Sequence, residues 1–301
     1  MNNRNTSYMK KIISILIAGF CIYSCGKEEP ITPDNPTSEN HPVTLTTKVT
    51  DGAFVEGASV GIYMVNYIDG GTATLKPSGN YVDNRKFSYY GTGGWKSDKT
   101  LYFKDDKTPV DFYAYSPYST VSDATNYSVS VVPDQSVESA YEASDFLWGK
   151  SLGCLPSSSP VNITVNHMMS KVIIILNPGA GFTEEELIAL SPVVQLPNLK
   201  CNASFNMGTG AFSQLKSEKS VTPYKVSSLK YQALVLPQSV EEYDIVVITI
   251  GENEYELRRT MTFEPGREYT FTVVLQRSEG GVNVGIGSWD VIDEDFGGIV
   301  S

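Results

Sequence analysis

From Val43 onward the apolar residues of this chain alternate. The stretch VTLTTKV at 43–49 sets Val43, Leu45, Thr47 and Val49 against Thr44, Thr46 and Lys48. A period of two places one set of side chains on each face of a strand, and no helix can use it. Short runs of similar character return along the chain. Gly52, Gly57 and Gly61 punctuate the first of them, which include VGIYMV at 60–65. Further strand candidates fall at 99–103, 110–115, 129–133, 161–166, 171–176, 232–236, 244–250, 254–258 and 268–275. Clusters of Gly, Pro, Asn, Asp and Ser separate them, as turns require. Gly251-Glu252-Asn253 reads as a hairpin connection, and Pro265-Gly266 as a type II turn, because proline presets φ and glycine tolerates a positive one. Tyr269, Phe271, Val273 and Leu275 then share one face. One helix is expected, a short one over about residues 184–190, opened by the capping box Thr183-Glu184-Glu185-Glu186. Many short strands and a single short helix imply an all-β chain built from β-sandwiches. No period of about 20–50 residues recurs, which argues against a solenoid or propeller. The small, polar, proline-bearing stretch SLGCLPSSSP at 151–160 marks a domain boundary, giving bodies at 43–155 and 156–301.

The residues ahead of Val43 cannot build a core. Lys10 and Lys11 precede an apolar run from Ile12 to Tyr23. That run is too short for a helix that spans a bilayer, which needs about 20 residues. A basic start, a short apolar stretch and a small residue make a secretory signal over residues 1–24. Ser24-Cys25 resembles a bacterial lipobox, so cleavage before Cys25 and acylation of its thiol and amine are expected. Tyr23 loosens the motif, and an ordinary signal with an incidental cysteine is the plain alternative. Acyl chains anchor because each buried CH₂ contributes about 0.8 kcal/mol. Lys27-Glu28-Glu29 resembles the surface-export signal of Bacteroidetes lipoproteins; the plain alternative is a solvated tether. Residues 25–42, rich in proline and small polar residues, form a lipidated and disordered stalk between lipid and body.

Composition removes several function classes. A net charge of −11 argues against nucleic acid, whose binding rests on neutralising phosphates. Beyond Cys25 only Cys154 and Cys201 remain, too few for a disulfide framework; they could pair in an oxidising compartment, but two separate core thiols are expected. The two histidines, His41 and His167, fall in the tether and at the end of an apolar alternation, so a nucleophilic triad has no evident base. No metal-ligand cluster or cofactor motif is present: Gly91-Thr92-Gly93-Gly94 lacks the residues of a phosphate loop, and Asp290, Asp293, Glu294 and Asp295 lack a calcium-loop frame. Neither a metal nor a cofactor is expected, and the protein is read as no enzyme. A carboxylate pair for glycoside hydrolysis leaves no sequence signature. Tyr89, Tyr90, Trp95, Tyr102 and Phe103 could stack on sugars, which keeps a surface glycan-binding lipoprotein as the alternative function; packing is the commoner use of such residues.

Six stretches, taken in order, resemble the fimbrillin family of Bacteroidetes pilus lipoproteins. They are DFYAYSPY at 111–118, DFLWG at 145–149, HMMSKVI at 167–173, ALVLPQ at 233–238, FEPGREYTF at 263–271 and Ser288-Trp289. The resemblance covers about residues 43–290 and implies two transthyretin-like β-sandwich domains in tandem, with the helix in the second. It implies a structural pilus subunit (stalk, anchor, tip or accessory) exposed on the outer membrane, partnered by other subunits, with a host or bacterial surface glycan or protein as receptor. In stalk members a protease removes the first strand and a neighbour's strand fills the groove, which is β-augmentation. Val43, Leu45 and Val49 match the removable strand, and Val282, Val284 and Ile286 match a terminal donor. One departure stands out: no arginine lies between Cys25 and Arg85, whereas the family's stalk subunits are typically cut after arginine near this strand.

Overall fold

The computed structural model describes residues 41–50, 52–277 and 284–295, with the backbone alone for 242, 243, 277 and 284–295. In chain order the first elements are β1 (Leu45–Val49), β2 (Ser59–Asn66), β3 (Val82–Tyr89), β4 (Trp95–Ser97), β5 (Val110–Ser116), β6 (Tyr127–Ser130), α1 (Glu138–Glu142), β7 (Leu147–Cys154) and β8 (Val161–His167). There follow β9 (Ser170–Pro178), α2 (Glu184–Ala189), β10 (Val193–Asn206), β11 (Ala211–Val221), β12 (Tyr224–Ser227), β13 (Lys230–Val235), β14 (Gln238–Ile250), β15 (Asn253–Phe263), β16 (Arg267–Arg277) and β17 (Val284–Asp295). The fold is mostly β and sandwich-like.

A seven-stranded sheet in the order β1-β8-β7-β5-β2-β3-β4 organises the first half. Its central strands β2 and β5 are buried along nearly their whole length because both faces of the sheet are covered there. On β5, Val110, Phe112 and Ala114 join one core with Val60, Ile62, Met64, Leu101, Phe103 and Ile163. Tyr113 and Tyr115 point the other way, into a second and larger core with Tyr63 and Trp148. That second core runs on through the later half of the chain. There, a sheet β11-β10-β14-β15 and a sheet β12-β13-β9-β16-β17 supply its remaining walls. As the alternation at 269–275 requires, Tyr269, Phe271, Val273 and Leu275 are all buried.

The halves are joined by main-chain contacts as well as by a shared core. Strand β6 leaves the first sheet's neighbourhood and pairs antiparallel with β10, Tyr127 opposite Phe205 and Ser130 opposite Asn202. Tyr127, Phe146 and Phe205 stack in succession, with ring centroids 5.7 Å and 4.9 Å apart. The Gln135 side chain donates to the Leu234 carbonyl (2.8 Å) and accepts from its N–H (2.9 Å), acting as a one-residue strand. Trp148 Nε1 donates to the Met207 carbonyl at 2.9 Å. Gly210, with φ of 79°, lies where a Cβ would stand 2.5 Å from the Trp148 ring, so glycine is demanded twice over.

Several expectations meet the structure directly. The Thr183 capping box is formed in full, and α2 follows it. Gly251 and Gly266 carry the positive φ values their turns need, 62° and 69°. Two expectations are corrected. A second short helix, α1, lies in the first half; its N-cap is Val137, which offers no side-chain oxygen, so the usual start signal is missing. Residues 99–103 form no strand: Tyr102 only bridges Pro42, and Leu101 and Phe103 alternate because both reach the core from a loop. The strand at 161–167 pairs with β7 and β1, so the chain stays with the first sheet until His167. Strand β11 was not anticipated, since it is exposed along most of its length and shows no alternation.

Candidate strand-exchange site

Strand β1 lies at one edge of the seven-stranded sheet, parallel to β8. Leu45 stands opposite Val161, Thr47 opposite Ile163 and Val49 opposite Val165. Val161 N–H donates to the Thr44 carbonyl at 2.8 Å, and Thr50 N–H to the Val165 carbonyl at 3.2 Å. In an extended chain the N–H and C=O of one residue point to the same side. Residues 44 to 50 of even number therefore address β8, and Leu45 and Thr47 direct their backbone groups outward at the sheet edge. Just upstream the odd-numbered residues are used: Val43 N–H donates to the Leu101 carbonyl (2.8 Å), and Phe103 N–H to the His41 carbonyl (3.0 Å). The strand is thus clasped on both sides at its start and again at Val49, which bridges Gly52, and on one side between them.

Its side chains are embedded more deeply than its backbone. Val43 and Leu45 are 5% and 8% exposed and belong to the first core, and Val49 packs partly against it. Fully burying each such side chain contributes about 1.5–3 kcal/mol. Thr47 is as buried as Leu45, and its hydroxyl meets no hydrogen-bond partner among the described residues. Thr47, the seat lined by Val161 and Ile163, and the clasp at Leu101 and Phe103 were not singled out from sequence. The alternation at 161–165 was the available sign for the seat.

The other terminal strand is also in place. Strand β17 pairs antiparallel with β16 at the edge of its sheet, Val284 opposite Arg277 and Ile286 opposite Leu275. The two edges lie in different sheets, so the structure does not bring Val43, Leu45 and Val49 into one site with Val284 and Ile286. Val282, and likewise Cys25, Lys27, Glu28 and Glu29, lie outside the described residues.

Other candidate chemistry resolves into structure. His167 Nδ1 sits 2.9 Å from Asp145 Oδ1, next to a cavity of about 190 Å³ that Tyr141, Glu142 and Leu234 also line. Burial raises the phenol of Tyr141 well above the ordinary range, with Asp145 and Glu268 adding to it, and the ring stays a neutral packing element. Cys154 and Cys201 are both free thiols, and burial pushes the Cys201 thiol up. Of the aromatic residues considered for sugar stacking, Phe103 is in the core. Trp95 is wedged between Phe54 and Tyr89, 4.9 Å and 5.1 Å away, and Tyr90 is largely exposed. The Tyr89 and Trp95 rings are inclined at 41° to each other. Among the described residues no group of three or more His, Cys, Asp or Glu side chains is placed to hold a metal, and no helix is long and apolar enough to cross a membrane.

The sequence profile of a family described as fimbrillin-like matches residues 47–289. A Bacteroides uniformis protein with the provisional name fimbrium subunit Fim1C is 25% identical, over 93% of this chain and 96% of its own. A crystal structure from Bacteroides uniformis, provisionally described as a cell adhesion protein, superposes with a TM-score of 0.63 at 24% identity, covering 87% of this chain and 100% of that one. The tip fimbrial protein Mfa3 of Porphyromonas gingivalis, C-terminally truncated, superposes at 0.52 with 9% identity, over 84% of this chain and 99% of its own. The last two likenesses concern the fold.

Proposed function

The chain belongs to the fimbrillin-like family, and from that premise we propose that it is a non-enzymatic structural subunit of a surface pilus that joins its neighbours by β-strand donation. One observation carries the reading: β1 fills the first core with its side chains but between Val43 and Val49 is hydrogen-bonded along one side only. A strand of that kind is replaceable. Its removal leaves an apolar groove and an open strand edge at β8, which together form a template for another chain. The terminal strand, with Val282, Val284 and Ile286 in alternation, is the donor offered to a neighbour.

Within this reading the body is a tandem pair of transthyretin-like β-sandwich domains. The division is expected after residue 155, and the pairing of β8 within the first sheet supports a place nearer His167. Cleavage before Cys25 and its acylation anchor the protein, and Lys27-Glu28-Glu29 directs it to the outer face of the outer membrane. The absence of arginine between Cys25 and Arg85 favours an anchor, tip or accessory position over the stalk.

A truncation starting after residue 50 tests assembly. It is expected to associate with itself or with a partner pilin, whereas the chain with β1 in place stays monomeric. Aspartate at 282, 284 and 286 is expected to block that association. A truncated protein that stays a folded monomer at high concentration, with candidate pilins present, excludes strand donation. Export is tested separately: Cys25→Ala abolishes lipid labelling, and protease added to intact cells degrades the wild-type protein.

A further inference from the structure

The weakest point in the seat of β1 is a single oxygen. Thr47 points into a wall made by Ile163 and its aliphatic neighbours, yet its buried Oγ1 meets no acceptor or donor among the described residues. Two other buried side-chain oxygens share that condition, those of Tyr63 and Asn66. Both belong to β2, which is held between β3 and β5 and cannot leave without the sheet. Thr47 alone of the three sits on an edge strand. A buried hydroxyl without a partner bears its desolvation penalty in full, while a methyl group of the same size bears none. In water, after β1 has lifted away, the hydroxyl is satisfied again. The penalty thus acts only on the seated state.

We propose that Thr47 is the residue that makes β1 displaceable, and that it selects the strand that replaces it. The replacing segment is a β-strand of another pilus subunit that carries valine or isoleucine at the Thr47 position, between aliphatic residues at the Leu45 and Val49 positions. Such a strand keeps every apolar contact of β1 and removes the unpaired oxygen. This rests on the strand-donation reading above and adds to it the side-chain identity that decides the direction of exchange. Threonine and valine are near-isosteric, so the preference comes from hydration and not from fit. Its size is on the order of tenfold in the ratio of seated to vacated groove.

The experiment uses the full chain in three forms: wild type, Thr47→Val and Thr47→Ser. Hydrogen–deuterium exchange at the amides of residues 44–50 reads the opening of β1. Thr47→Val is expected to slow that exchange about tenfold, while Thr47→Ser, which keeps the hydroxyl, leaves it as fast or faster. In a second arm the wild-type chain is mixed with a synthetic peptide of residues 41–50, or with the same peptide carrying Thr47→Val. Uptake of the valine peptide is expected to exceed uptake of the native one about tenfold. Unchanged or faster exchange in Thr47→Val, or equal uptake of the two peptides, overturns the assignment of Thr47. Slower exchange in Thr47→Val with uptake of neither peptide overturns the selection of the replacing strand by Thr47; the strand-donation reading is judged separately, by the truncation after residue 50, which keeps the two failures apart.

Discussion

Strands β1 and β5 are both apolar on the faces that matter, yet the fold treats them in opposite ways. β5 is buried along its whole length, paired on both sides, and feeds two cores at once. β1 feeds one core and, between Val43 and Val49, is paired on one side. The contrast teaches that side-chain burial and backbone pairing are separate bonds to the body. β5 has both in full and cannot be exchanged. β1 has the first nearly in full and half of the second, which is the combination a replaceable strand needs.

Substitutions can break or sharpen that contrast, and their expected effects fall in order. Phe112→Ala, in the middle of β5, is expected to cost about 3–5 kcal/mol, because it deletes a fully buried ring. Chemical denaturation should show the whole body losing stability. Leu45→Ala in β1 is expected to cost about 2–3 kcal/mol. Here hydrogen exchange should rise first at residues 44–50 and 161–165, leaving β5 protected; uniform loss of protection would erase the distinction between the two strands. Gly149→Ala tests the support under β8, since a Cβ there would stand 1.9 Å from the Thr164 carbonyl oxygen. Forcing β8 away from β7 is expected to cost about 1–3 kcal/mol, with β1 opening more often as its seat shifts. Thr183→Ala removes one side of the α2 capping box and is expected to cost about 1 kcal/mol. Thermal unfolding should register it with β1 exchange unchanged, which sets the scale for an effect remote from the edge. Smallest is a chemical difference: at neutral pH a thiol reagent should label half-buried Cys154 well before Cys201, whose thiol burial keeps protonated. Mass spectrometry of the partly labelled protein decides it.

The residues announced these features unevenly. The alternation of VTLTTKV and the Thr183 capping box are local signals, and both elements stand where the residues place them. That β1 would lie beside β8 was not legible, because parallel pairing across most of a domain leaves no mark in either strand. Leu101 and Phe103 alternate as a strand would, but loop residues that reach a core give the same pattern. Strand β11 was hidden for the opposite reason: with both faces largely exposed, it is held by pairing to β10 and by Phe212 and Val221 near its ends, and no hydrophobic period records it. Thr47 was visible only as one more member of an alternation. Its significance depends on what surrounds its oxygen, and that is known only once Ile163 is opposite.

The parallel pairing of β1 with β8 also has a consequence in time. The contact between Thr50 and Val165 closes a loop of 115 residues. The entropy of closing such a loop is met before the contact returns anything, so non-local pairings form late. β1 is made first, yet its seat does not exist until β8 has joined β7. Between those two moments the body is a folding chain with an open edge at β8, and the strand that reaches that edge soonest takes it. Proximity in the chain gives β1 a high effective concentration there, and under the proposed strand donation a neighbour's strand competes on the same terms.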